Sequence, residues 1–154
     1  MIIRTAKQSD IETLLKFRLA YLRESFDGGS YDEAEVTKQL KDYFIRNITS
    51  GVFTAYFAVL QEKVVSVIFL IRVEKPANPH FLSGKTAMLM NVYTLEEYRR
   101  QGIAETLLQA VITDAKAEGI SCIDLTATAL GKPLYEKSGF KSRKDGELEM
   151  RLNL

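Results

Sequence analysis

The segment Arg99-Arg100-Gln101-Gly102-Ile103-Ala104 puts two permanent cations, a glycine and an alanine where the hydrophobic pattern changes. Ahead of it, Ala87 to Thr94 reads as an apolar strand. Behind it, Ile103, Leu107 and Val111 recur four apart, and Ala104, Leu108, Ile112 and Ala115 fill the adjoining rows of a helix face. A strand thus gives way to a basic turn, and a helix starts at its glycine. The first N–H groups of a helix have no partner within it, and the aligned peptide dipoles make that end positive. Such a turn can cradle a phosphate or pyrophosphate. Gly102 lets the backbone approach the anion, and Ala104 keeps the next approach small. Neither the dinucleotide turn G-x-G-x-x-G nor the P-loop G-x-x-x-x-G-K-[ST] is present in this stretch. Taken alone, the six residues are equally a basic turn that only opens a helix.

The elements that position this turn follow from periodicity. Ile2–Thr5 reads as a first strand. Ser9 to Glu12 has the S-x-x-E form of a capping box, opening a helix with Ile11, Leu14, Leu15, Leu19 and Leu22 on one face. Gly28-Gly29 breaks that pattern. A second box, Ser30 to Glu33, opens a helix with Val36, Leu40, Tyr43, Phe44 and Ile48 inward. Thr54–Leu60 and Val64–Val73 form a hairpin around Gln61-Glu62-Lys63. After a loop from Pro76 to Gly84 come the strand at Ala87–Thr94 and the long helix from Gly102 to Glu118, which Gly119 stops. A strand at Ile120–Thr126 precedes a short helix over Pro133–Lys137, with proline in its first turn. Two closing strands, Phe140–Lys144 and Glu147–Asn153, meet at the hairpin dipeptide Asp145-Gly146. The order is βααβββαβαββ: an α/β (α+β) chain of about seven strands and four helices.

Length and composition narrow the function classes. At 154 residues the chain fits one domain, residues 1–154, long enough to bury roughly two-thirds of its unfolded surface. Its 21 basic and 20 acidic residues leave a net charge of +1, so no global field recruits nucleic acid or an anionic membrane. The sole cysteine, Cys122, excludes an intrachain disulfide and a cysteine-rich metal site, and it sits in an apolar run as a core residue. The lone histidine, His80, falls in the loop Pro76-Ala77-Asn78-Pro79-His80 with nothing near it to suggest nucleophilic catalysis. Val64–Ile71 is too short to span a bilayer, and Met1 leads straight into a strand pattern, with no signal peptide evident. The expectation is a cytoplasmic protein without a metal.

The basic turn resembles the [QR]-x-x-G-x-[GA] motif of the GNAT superfamily of acetyl-CoA-dependent N-acetyltransferases, with Arg99, Gly102 and Ala104 in its defined places. Leu134-Tyr135-Glu136-Lys137-Ser138-Gly139-Phe140 resembles that family's second signature, L-Y-x-x-x-G-F. The opening Ile2-Ile3-Arg4-x-Ala6 with Ser9-Asp10-Ile11 is similar to its usual start. The three matches stand in family order and span nearly the whole chain, and the element order is also that of the family. The resemblance implies a mixed, mostly antiparallel twisted sheet.

It also implies a site. Acetyl-CoA is the expected co-substrate, its pantetheine arm pairing with backbone at Val92, Tyr93 and Thr94 as an added strand. One amide there is expected to stabilise the oxyanion. The pyrophosphate is expected on the amides of Gln101, Gly102, Ile103, Ala104 and Glu105, with Arg99 or Arg100 beside it. Tyr135 takes the position of the family's general acid, which protonates the departing thiolate. The other reading of Tyr135 is packing against the cofactor with an idle hydroxyl. An asparagine common seven residues before that tyrosine is replaced by Thr128. The strand Met88–Thr94 has Asn91 and no carboxylate where several relatives hold a general base. The implied partners are acetyl-CoA and an amine acceptor, and the family's habit of pairing allows a homodimer. Glu24, Asp27, Asp32, Glu33 and Glu35 lie together without a basic residue among them, and as an acidic loop they favour a cationic amine. The rival function is an acyl-CoA-binding sensor with little turnover.

Overall fold

A computed structural model of the protein describes residues 1–26, 31–142 and 150–153. Five strands form one sheet in the order β1-β2-β3-β4-β5: β1 (Ile2–Thr5), β2 (Phe53–Leu60), β3 (Lys63–Glu74), β4 (Lys85–Thr94) and β5 (Cys122–Asp124). The first three pairings are antiparallel and the last, β4 with β5, is parallel. Helices α1 (Ile11–Ser25) and α2 (Glu33–Asn47) precede β2, α3 (Ile103–Ala117) joins β4 to β5, and α4 (Lys132–Lys137) follows β5.

Strand alternation divides the interior between the two faces. Tyr56, Ala58, Ile68, Leu70 and Leu89 point at α3, where Ile103, Leu107, Leu108 and Val111 close the first core. Phe53, Phe57, Val67 and Phe69 point the other way, onto Leu14, Leu15, Phe17 and Phe44 of α1 and α2. Phe17, absent from the expected α1 face, is buried, whereas Leu19 and Leu22 are only half-buried. Its ring meets the edge of Tyr93 at 6.1 Å.

Neither expected capping box sets its helix start. Before α1 it is Asp10 that works, accepting from the Lys7 amide at 2.7 Å and holding Arg4 through both carboxylate oxygens. Glu12 reaches Lys41 instead. The cap of α2 is Asp32, whose Oδ1 accepts from the amides of Ala34 and Glu35. Ser30 lies outside the described residues. The β2–β3 turn has both Gln61 and Glu62 at positive φ, 45° and 63°, the twist that a two-residue hairpin demands.

The expected seven strands and the order βααβββαβαββ are corrected at the C-terminal end. Among the described residues there are five strands. Residues 140–142 and 150–153 are not strand, and the rest of the two closing strands, with their turn at Asp145-Gly146, lies outside the described residues. The Phe140 amide turns back to the Tyr135 carbonyl at 3.0 Å and its ring packs on Tyr135, so this segment follows α4 rather than leaving along a strand. The strand expected over Ile120–Thr126 shortens to Cys122–Asp124. Its first residue is claimed by the helix exit, where Ile120 N–H donates to Ala115 O.

Candidate active site

Strands β4 and β5 separate. Their register runs from Thr86 opposite Cys122 to Met88 opposite Asp124 and stops, while β4 continues to Thr94. From Leu89 onward that edge has no strand beside it among the described residues. Leu95 N–H donates to Val65 O on β3, and backbone direction alternates along a strand. The amides of Val92 and Thr94 therefore face the open edge, and the amide of Tyr93 faces β3.

A bulge shapes this edge. Val67 pairs with Tyr93 but Phe69 with Met90, so β4 carries one extra residue there. That residue is Asn91 or its neighbour, and Asn91 sits at φ 50°, a left-handed conformation asparagine tolerates better than most side chains. The bulge resets the alternation: Val92 packs toward α3 and Tyr93 toward α1. Thr94 is fixed by Ser66, hydroxyl to hydroxyl at 2.8 Å.

The turn beyond β4 takes the expected form. Arg100 has φ 60° and Gly102 φ 77°, two left-handed residues that reverse the chain before α3. Thr106 N–H donates to Gly102 O at 3.0 Å, leaving the amides from Gly102 to Glu105 as those without an intrahelical acceptor. A Cβ built on Gly102 meets nothing within 4 Å, so glycine is required by its φ rather than by crowding. Ile103 is buried in the first core and Ala104 is half-buried, which pins the helix start against the sheet. The Gln101 side chain donates to Glu97 O, and Glu105 is held by Lys137 of α4 at 2.7 Å.

The two arginines part company. Arg99 turns away from the helix start: its Nε donates to Thr94 O at 2.9 Å and its Nη2 binds Glu24 at 2.7 Å, with the Tyr93 ring 5.3 Å beneath. Tyr93 Oη donates to the same carboxylate at 2.6 Å. Burial alone raises the Glu24 carboxyl, but the bonds from Tyr93 and Arg99 outweigh it and hold its pKa below the usual value. Arg100 is exposed and makes no ion pair among the described residues.

Tyr135 lies on α4 and, like Val92, packs against the first core. Its ring is half-buried against Phe140, and its hydroxyl has no hydrogen-bond partner among the described residues. Burial, with a smaller contribution from the nearby Tyr21 phenol of α1, pushes its pKa up to about 12. Gly131 makes room for it, since a Cβ there would stand 3.2 Å from both the Tyr135 ring and the Thr128 hydroxyl. Thr128 lies in the turn before α4, its hydroxyl accepting from Gly131 N–H at 3.1 Å. A cleft of about 260 Å³ flanks Tyr135 on its β5 side, between Asp124, Leu125 and Lys132.

Sequence reasoning missed Arg18 and Tyr21, because each meets its neighbours through contacts remote in the chain, and it placed Glu24 in the acidic loop without its partners Tyr93 and Arg99. The structure gives most of the acidic-loop carboxylates partners of their own. Glu24 binds Arg99 and Tyr93, Glu33 binds Arg23, and Asp32 caps α2, so three of the five carboxylates serve the fold. Asp27 lies outside the described residues. Cys122 is half-buried on β5 and His80 is exposed in its loop. No His, Cys, Asp or Glu cluster fit to hold a metal occurs among the described residues, and no described helix is long and apolar enough to cross a membrane.

The profile of the acetyltransferase (GNAT) family matches residues 14–140, most of the chain. The chain belongs to the GNAT acetyltransferase family. This GNAT protein is 33% identical over 89 residues to N-acetyltransferase 8 of Homo sapiens, a match covering 56% of the chain and 37% of that protein. The chain thus spans little more than a third of that relative. Its fold is similar to that of a predicted acetyltransferase from Clostridium acetobutylicum solved with acetyl-CoA, at a TM-score of 0.86 and 26% identity over 97% of this chain and 95% of the other. It is also similar to a GCN5-related N-acetyltransferase from Ralstonia eutropha JMP134, at 0.81 and 22% over 97% of each chain.

Proposed function

We propose that this protein transfers the acetyl group of acetyl-CoA directly to an amine within a ternary complex. The observation that carries this reading is the open β4 edge ending in a helix start with unpartnered amides. An extended pantetheine arm fits the Val92 and Thr94 amides, and a pyrophosphate fits the amides from Gln101 to Glu105 with Arg100 beside them. Acetyl-CoA bound to the Clostridium acetobutylicum relative supports the same donor here.

The amine nitrogen attacks the thioester carbon, and the carbonyl oxygen takes the displaced electron pair. A preorganised β4 amide, that of Val92, stabilises this oxyanion. Collapse breaks the C–S bond, and Tyr135 donates its proton to the leaving thiolate. The proton lost by the amine passes to water, which restores Tyr135. Solvent takes that role because β4 has no carboxylate and Glu24, held below the usual carboxylate range by its two donors, is a weak base. Holding both reactants side by side supplies much of the rate.

The missing β4 carboxylate also favours a second reading, an acyl-CoA-binding sensor with little turnover. Thiol release against a broad amine panel separates the two. The founding test is calorimetric titration with acetyl-CoA. Binding is expected in the wild type, in Gly102→Asn, which keeps a side chain tolerant of positive φ, and not in Gly102→Glu, which sets a negative charge against the phosphates. Equal binding by all three would remove the turn from the site.

A further inference from the structure

Arg18 is a cation in an unusual position. It projects from α1 toward the β4 bulge, half-buried, with the Tyr21 ring 5.4 Å from its guanidinium carbon. Its hydrogen-bond partner is neutral: Nη1 donates to Asn91 Oδ1 at 3.3 Å. Arg4, Arg23, Arg72 and Arg99 each meet a carboxylate. Arg18 meets none among the described residues, and burial lowers its pKa, with Tyr21 acting weakly in the opposite sense. A guanidinium has five N–H donors, and one long bond to an amide leaves most of them unused. Burying a charge without a counter-charge is costly.

Asn91 repeats the imbalance. It is 3% exposed, and its Nδ2 has no hydrogen-bond partner. Two adjoining groups thus hold donors without acceptors, at the β4 bulge where the strand runs beyond its pairing with β5. What both lack is an anionic acceptor with two oxygens.

We propose that Arg18 and Asn91 receive a carboxylate of the acceptor, so that the substrate is a small amine that also carries a carboxylate, of amino-acid type. The proposal rests on the acetyl-transfer reading for the rest of the site. It also sets a distance. Asn91 precedes Val92, whose amide faces the reacting carbonyl, and neighbouring Cα atoms lie about 3.8 Å apart. A carboxylate held at Asn91 therefore suits an amine one or two carbons away, not one at the end of a long chain.

The test uses products, which need no donor. N-acetylated glycine, leucine, phenylalanine, glutamate and lysine are titrated calorimetrically into the protein alongside their carboxamides. At least one acid is expected to bind tenfold or more tighter than its amide. That ratio is expected to collapse in Arg18→Gln, to survive in part in Arg18→Lys, and to collapse in Asn91→Asp, where an internal carboxylate takes the guanidinium. Melting curves establish that each variant is folded. Equal binding of acids and amides, no binding of any acid, or a ratio unchanged in Arg18→Gln overturns the carboxylate site. Acetyl-CoA titrated separately keeps the two readings apart. Donor binding without acid preference removes the carboxylate site alone, and acid preference without donor binding removes the transferase reading alone.

Discussion

At the scale of single residues, the proposed site depends on a phenol, a glycine and an amide whose properties come from their surroundings. Tyr135 has its pKa raised to about 12, so it is fully protonated at neutral pH, the form an acid needs. A thiol ionises near 8.5, so proton transfer from this phenol is uphill and its contribution to the rate is modest. Tyr135→Phe is therefore expected to lower kcat toward the small end of the usual range, about 10²-fold, with acetyl-CoA affinity unchanged. Parallel loss of kcat and affinity, measured by steady-state kinetics and titration, would assign the hydroxyl to binding. Tyr135 and Gly102 were legible because their motifs lie within a few consecutive residues. Arg18 and Asn91 were not, since their bond joins positions 73 apart. A lone arginine inside an amphipathic helix carries no local mark of what it faces.

At the scale of elements, both ends of α1 are tied to the sheet by charged pairs whose pH behaviour differs from that of the cores. Asp10 anchors the β1–α1 connection. The hydrogen bond from Arg4 leads in holding its pKa below 3.8, and burial only partly opposes it. A carboxyl depressed in the folded state stabilises above its unfolded pKa and loses that stability as pH falls through the folded value. Asp10→Asn is expected to cost about 1–3 kcal/mol at neutral pH. In urea melts the gap from wild type should narrow as pH falls below 3.8, and a constant gap would show that the charge contributes nothing. The Glu24 clamp works in the same sense but is more exposed, so its effect on stability is smaller. Helix α3 depends instead on packing. Leu107 is fully buried, and Leu107→Ala is expected to cost about 2–5 kcal/mol by thermal or urea melting. Leu130→Ala, 87% exposed, should change stability by less than about 0.5 kcal/mol. Helix and strand positions were readable because burial imposes a period on the sequence. The caps were misread because Asp10 takes the Lys7 amide and Asp32 those of Ala34 and Glu35, away from the starts the serines mark, and only backbone geometry decides where each helix begins.

At the scale of the whole molecule, the separation of β4 from β5 opens the edge on which the proposed site is built. If acetyl-CoA pairs with the open edge, amide hydrogen exchange at Val92 and Thr94 should slow on binding, while Tyr93, already facing β3, changes little. Uniform slowing across β4 would indicate global stabilisation by ligand rather than strand-like pairing. The amino-acid sequence by itself determined the family, the two signatures, the long α3 starting at Gly102, and every strand through β4. Those features are encoded by local spacing, and local spacing survives without coordinates. Only tertiary structure decided which groups remain available. It committed Arg99 to Glu24 across 75 positions, gave three carboxylates of the acidic loop to structural partners, and set Arg18 beside a bulged strand with no acid opposite it among the described residues. Charge balance is a property of spatial neighbours, and one residue's neighbours across a sheet are unrelated to its neighbours along the chain.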